Sequence, residues 1–222
     1  MMLGDPQKWR QSLISLDERI LERILSVWQR CVARLPTQPT EDEVTINLVD
    51  LLMKDPVVRT ICHWIEYQFE PFGVDDSGAR YSKGIIDLTL FLDFDRETYL
   101  PYECKRLNVI RKGARSSLAT SYVKEGLMRF VREQYAEGLP VGCMLGYVMD
   151  GDLAFALQQV HAAIKAEATV LRSRGGIING DVIPPCERFQ TDHDRDVSAQ
   201  IEVRHVLLPF VSMAASNNFS AD

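Results

Sequence analysis

The chain has 222 residues, is 46% hydrophobic and carries a formal net charge of −6. That is ample core for one domain and little for two, and the acidic balance excludes a generally basic nucleic-acid binder, so such contacts must come from a local patch. No run of about 18 apolar residues offers a membrane span, and Cys31, Cys62, Cys104, Cys143 and Cys186 form no CxxC pair, which points to reduced thiols in a cytoplasmic protein rather than a disulfide framework or zinc site.

Residues 6 to 35 read as a helix, with Asp5 as cap and Leu13, Leu16, Ile20, Ile24, Val27 and Cys31 at helical spacing. Asp17, Glu18 and Arg19 interrupt its apolar residues, unlike a secretory leader. Pro36 and Pro39 bracket a linker. A second helix should run from Thr40 to before Pro56, with Val44, Leu48, Leu51 and Leu52 as its buried stripe. Thr40 and Glu43 have the spacing of a capping box, and Glu41 and Asp42 read as first-turn acids that serve the helix dipole. Residues 63 to 72 read as a strand with Glu66, Gln68 and Glu70 on one face. Gly73 to Lys83, which includes Arg80, reads as a loop.

The stretch Gly84–Lys105 reads as a β-hairpin. Ile86, Leu88, Leu90, Leu92 and Phe94 alternate with Asp87, Thr89, Phe91 and Asp93. On the return strand Thr98, Leu100, Tyr102 and Cys104 alternate with Tyr99, Pro101, Glu103 and Lys105. Directly opposed residues share a face. The register that joins the apolar faces sets Leu88 opposite Tyr102 and Leu90 opposite Leu100, with Phe94, Asp95 and Arg96 as the loop. It also sets Asp87 opposite Glu103, with Lys105 beside them. Two opposed carboxylates repel unless a proton or a cation lies between them. Mg²⁺ is a common solution, since it takes one or two carboxylates and leaves its other positions to water and phosphate.

Asp87 followed on the next strand by Glu103-Cys104-Lys105 resembles the PD-(D/E)xK, or restriction-endonuclease-like, nuclease superfamily. In place of the proline that often precedes the family's aspartate, this chain has Gly84-Ile85-Ile86. The resemblance implies an α/β fold, a mixed sheet flanked by helices in the order α-β-β-β-α-β. That core would span residues 40–150, after an N-terminal helical segment (1–39) and before a C-terminal helix and strand (151–210) and a tail (211–222). It implies hydrolysis of phosphodiester bonds in nucleic acid, DNA rather than RNA, in a restriction or phage-defence setting. The metal, Mg²⁺ or Mn²⁺ as a substitute, would be held by Asp87, Glu103 and the carbonyl of Cys104, with Lys105 orienting the attacking water. Glu43, on the first core helix, would be a further catalytic carboxylate. The same fold also serves non-catalytic nucleic-acid-binding or assembly subunits, which is the alternative reading. A homodimer or a larger defence complex is compatible with either.

Lys105, Arg106, Arg111, Lys112 and Arg115 form a basic run without an intervening acid. Arg111, Lys112 and Arg115 are candidate phosphate contacts, which position a nucleic acid without reading its sequence. Residues 116 to 136 read as a helix capped by Ser116 or Ser117, and the resemblance makes its Tyr122 and Arg129 further nucleic-acid contacts. Val141 to Met149 reads as a strand buried on both faces, and 152 to 172 as an amphipathic helix. Gly175 to Arg195 reads as a polar connection whose Asp192, His193, Asp194 and Asp196 are more simply solvated than metal ligands. Ile201 to Phe210 reads as a last strand extending the sheet, and Ser212 to Asp222 as a frayed tail.

Overall fold

The computed structural model describes residues 6–181 and 183–211. Asp5 and the tail from Ser212 lie outside them. Among the described residues, eleven strands and six α-helices follow one another as α1 (Pro6–Val32), α2 (Glu41–Met53), α3 (Val58–Ile61), β1 (Trp64–Phe69), β2 (Phe72–Val74), β3 (Arg80–Ser82), β4 (Ile86–Phe91), β5 (Tyr99–Leu107), β6 (Val109–Arg111), β7 (Ala114–Ser116), α4 (Ala119–Ser121), α5 (Met128–Val131), β8 (Val141–Val148), α6 (Leu153–Ala166), β9 (Ser173–Asn179), β10 (Glu187–His193) and β11 (Ile201–Pro209). A π-helical segment, Tyr122–Leu127, joins α4 to α5 without a break.

The main sheet has seven strands in the order β1-β4-β5-β8-β11-β10-β9. It is mixed: β5, β8 and β11 are parallel, and the pairings on either side of them are antiparallel. Every residue of β8 is buried, as its unbroken apolar run requires at the centre of a two-sided sheet. The apolar stripe of α1, from Leu13 to Cys31, joins that of α2 and the sheet in one core. Among the described residues no helix is long and apolar enough to cross a membrane.

The central hairpin has the register expected from its faces, with Leu88 opposite Tyr102 and Leu90 opposite Leu100. Its loop is wider than three residues, because Asp93 leaves the strand and its carboxylate accepts from the amides of Glu97 and Thr98. Gly73–Lys83 is not an open loop but carries the β2–β3 hairpin. Its turn closes on Asp75, whose carboxylate accepts from the amides of Ser77 and Ala79 and from the Ser77 hydroxyl.

The helix expected over 116–136 is shorter. Ser116 belongs to β7, the helical stretch starts at Ala119 after a left-handed Leu118 (φ 53°), and it ends at Val131. The helix expected over 152–172 stops at Ala166. The connection expected over 175–195 is instead two strands. In β10, Phe189, Thr191 and His193 face inward. Two of these three are polar, so the period-2 pattern is invisible as hydrophobicity. β11 lies inside the sheet, between β8 and β10, and not at its edge.

The inward polar groups of β10 are satisfied by one chain of hydrogen bonds. His193 Nδ1 lies 2.8 Å from the carbonyl of Leu171, which can only accept, so that nitrogen carries the proton. His193 Nε2 therefore accepts from Thr191, 2.8 Å away. Thr191 Oγ1 accepts from His205 Nε2 at 3.0 Å, and Tyr122 donates to His205 Nδ1 at 2.9 Å. Both imidazoles are neutral, and burial holds their pKa values below the ordinary histidine value.

Candidate active site

The site grows from a mismatch in strand length. The β4–β5 ladder ends at Leu88–Tyr102, while β5 runs on to Leu107. Residues 98, 100, 102, 104 and 106 turn their backbone groups toward the β4 side, so the amides of Cys104 and Arg106 overhang the end of that ladder. Side chains take their place. Asp87 Oδ2 accepts from the Cys104 amide at 2.7 Å, and Glu41 Oε2 accepts from the Arg106 amide at 2.8 Å. The Cys104 carbonyl accepts from Lys105 Nζ at 2.9 Å.

Glu103, which continues the register opposite Asp87, is fully buried. Its Oε1 makes ion pairs with Lys105 Nζ (2.8 Å) and Arg129 Nη1 (3.1 Å). Neither oxygen has a well-formed hydrogen bond. Lys105 Nζ is thus ringed by three oxygens, from Glu103, Cys104 and, at 2.9 Å, Glu41. The position is a cation site by its donors, filled by the chain's own ammonium.

Electrostatics follow from this crowding. Burial, and then the charge of Asp87, push the Glu103 carboxyl up to about 8 against the pull of Lys105 and Arg129. Burial also raises Asp87, with Lys105 and the Cys104 amide opposing. For Lys105, burial disfavours the charged form, but Glu103, Glu41 and Asp87 outweigh it and the pKa rises. The ammonium is therefore charged throughout the physiological range.

Arg129 reaches Glu103 because the helix carrying it comes very close to β5. The approach is closest at Gly126, where a Cβ would sit 3.5 Å from Cγ of both Glu103 and Lys105, in van der Waals contact, and would displace only the Met144 methyl, 2.6 Å away. The π-helical turn around Gly126, a feature found often at functional sites, lies directly over the carboxylate. Arg129 is held in turn by the Tyr135 hydroxyl, which accepts from its guanidinium and donates to the carbonyl of Ile85.

The structure brings together Asp87, Glu103, Lys105, the Cys104 carbonyl and Arg129, and it adds Glu41. Glu43 is elsewhere: its carboxylate accepts from the Thr40 amide at 2.8 Å and completes the capping box. Position, not residue type, separates the two glutamates, since they are two residues apart on a helix and face different ways. Tyr122 is fully buried and bonded to His205, so it cannot be a surface contact for nucleic acid. Arg115 is engaged with Asp150 (2.8 Å) and Asp152 (3.0 Å) and lies over the Phe155 ring. Arg111 and Lys112 are exposed, and among the described residues neither has an acidic partner. Asp194 and Asp196 pair with Arg174 and Arg172, and His193 is buried, so the acidic stretch of 192–196 forms no ligand cluster. Sequence reasoning passed over Glu41, Gly126 and Tyr135. Only for Glu41 was there a signal, an acid in the first turn of the core helix.

Among the described residues there is no group of three or more His, Cys, Asp or Glu side chains set to hold a metal. Two carboxylates and a backbone carbonyl, with neither buried oxygen of Glu103 hydrogen-bonded, nonetheless suit an ion that keeps most of its shell for water and phosphate. Comparison with models of protein families, with curated proteins and with solved structures gave no match.

Proposed function

We propose that the protein is a divalent-metal-dependent nuclease of the PD-(D/E)xK kind, hydrolysing phosphodiester bonds in DNA, with restriction or phage defence as its setting. The observation that carries this reading is Glu103: a fully buried carboxyl, opposite Asp87, with neither oxygen hydrogen-bonded and a cation already drawn to its side. A merely structural acid would be satisfied by hydrogen bonds at this depth. The order α2, β1, β4, β5, α4–α5, β8 supports the restriction-endonuclease-like core, with the β2–β3 and β6–β7 hairpins as insertions.

Mg²⁺ would be held by Asp87, Glu103 and the Cys104 carbonyl, and when bound it would neutralise phosphate charge and lower the pKa of a coordinated water. Asp87 is fixed for this by the Cys104 amide, which leaves its other oxygen available. Glu41 holds Lys105 at the mouth of the site, where an ammonium with donors but no acceptor can orient a water and offset charge developing on the phosphate. Arg129, about one-third exposed, presents a second fixed positive charge to the same space.

The competing reading, a binding or assembly subunit, has one observation in its favour: Glu41, Lys105, Glu103 and Arg129 close on one another as an ion-pair network. Cleavage of labelled single- and double-stranded DNA and RNA with Mg²⁺ or Mn²⁺ separates the two. The nuclease reading expects DNA cleavage that falls on the order of 10²-fold or more in Lys105→Met, the scale of losing an electrostatic stabiliser, while metal-free DNA binding stays within a few fold. A parent protein that cleaves none of these substrates, or a variant that cleaves as fast as the parent, removes the assignment.

A further inference from the structure

We infer that the β6–β7 hairpin is a preformed ribbon that enters the major groove of duplex DNA, which makes double-stranded DNA the substrate of the site; this rests on the nuclease reading above. The ribbon is a continuation of the catalytic strand. β5 passes through a left-handed Asn108 (φ 53°) directly into β6, so Lys105 and the ribbon tip at Lys112 are seven residues apart. At about 3.3 Å per residue the tip lies within roughly 23 Å of Lys105, about two-thirds of one ~34 Å helical turn of duplex DNA.

The hairpin is tight and fixed. Val109, Ile110 and Arg111 pair with Ser116, Arg115 and Ala114, and the Asn108 amide donates to the Ser117 carbonyl at its base. Lys112 (φ 50°) and Gly113 (φ 77°) form the two-residue turn, both left-handed, as a type I′ hairpin demands. The Asn108 side-chain amide donates to Asp150 and to the Asp152 carbonyl. Arg115 grips the same two acids and covers Phe155.

The alternation of a strand then sorts the basic run into two kinds of residue. Ile110 and Arg115 are cross-strand partners on one face, and Arg115 turns that face to the body of the protein. Arg111 and Ala114 lie on the opposite face, exposed at the tip beyond the buried Val109 at its base, and Lys112 caps the turn. The tip therefore presents two exposed cations, without an acidic partner among the described residues, beside two small exposed residues, Gly113 and Ala114, a narrow and bare profile. A two-stranded ribbon fits the DNA major groove, about 12 Å wide, and not the deep, narrow one of duplex RNA. Single strands are held by aromatic stacking platforms, whereas the exposed aromatic residues among those described, Trp64, Phe72, Tyr81 and Phe94, all lie off the ribbon. Within this arrangement Arg115 is a positioning residue and not a phosphate contact.

The test is fluorescence anisotropy with the full-length protein in EDTA, so that nothing is cleaved. The probes are a labelled DNA duplex of a few helical turns, its single strand and the matching RNA duplex, each titrated over a range of salt. Tighter binding to the DNA duplex is expected. Arg111→Ala/Lys112→Ala should reduce its log–log salt slope by about 1.8, at about 0.9 per phosphate lost. Arg115→Ala should weaken binding with the slope unchanged, as loss of an anchor does. Equal affinity for single strand or RNA duplex, an unaltered slope in the double variant, or a slope loss in Arg115→Ala like that of a contact would each overturn the proposal. The two readings fail separately. Duplex binding through the ribbon with no cleavage under Mg²⁺ or Mn²⁺ ends the nuclease reading alone, and cleavage with an unaltered slope in the double variant ends the ribbon alone.

Discussion

Replacing Glu103 by Gln removes one charge from the best-buried carboxyl of the site at nearly constant volume. The native carboxyl is pushed from 4.5 to about 8, chiefly by burial and then by Asp87. Below about 4.5 both folded and unfolded chains hold the proton. Between there and about 8 the unfolded chain has released it and the native chain has not, so native stability falls as pH rises. Above about 8 the whole penalty is present. At ~1.36 kcal/mol per pH unit the ceiling is roughly 5 kcal/mol. The variant recovers less than this, because Gln gives up the ion pairs of Glu103 with Lys105 and Arg129, and a gain of about 1–3 kcal/mol at pH 9 is the expected scale. Urea unfolding in EDTA at pH 6 and pH 9 measures it. The parent should lose stability between the two pH values, and the difference between parent and variant should move in favour of Gln. Parallel pH dependences for the two proteins would refute the claim that Glu103 is held protonated by its surroundings.

Mn²⁺ should stabilise the parent more at pH 9 than at pH 6, since the ion competes with the Glu103 proton, and should not stabilise Asp87→Asn/Glu103→Gln; thermal melts with and without the metal check both. Glu41→Gln should lower cleavage by freeing Lys105, whereas Glu43→Gln should leave turnover unchanged and only weaken the cap of α2, as side-by-side kinetics and melts would show. Tyr122→Phe should cost about 1–3 kcal/mol by leaving the buried His205 Nδ1 without its donor, with metal-free DNA affinity unaltered. Acidification below the unfolded histidine pKa of about 6.5 should also destabilise the parent, because burial keeps His205 and His193 neutral while the unfolded chain takes up protons; a His205→Gln variant should show a shallower acid limb.

The pairing of β4 with β5 was readable from the chain because its signal is local. Side chains alternate with period two, one face is apolar, and only one register joins Leu88 and Leu90 to Tyr102 and Leu100. That register alone aligns Asp87, Glu103 and Lys105. The stripe of α1, the capping box of Thr40 and Glu43 and the buried run of β8 were legible for the same reason. The strand β10 was not, since a strand whose inner face is Thr191 and His193 carries no hydrophobic period and is stabilised by distant partners, from β11, the π-helical turn and the Leu171 carbonyl.

The choice between Glu41 and Glu43 shows most directly what tertiary structure decides. Both are first-turn acids of α2, and both have a backbone amide to accept from. Glu43 finds its amide three residues back in its own chain, a contact that sequence spacing encodes. Glu41 finds the Arg106 amide and the Lys105 ammonium only because β5 outruns β4 and leaves them bare at the place where α2 begins. The basic run divides in the same way. Its five cations are equivalent as text, yet a two-residue turn sends Arg111 and Lys112 outward and Arg115 back onto Asp150 and Asp152. Local patterns specify which faces a strand has; the length of its neighbour determines which of its polar groups are left over for chemistry.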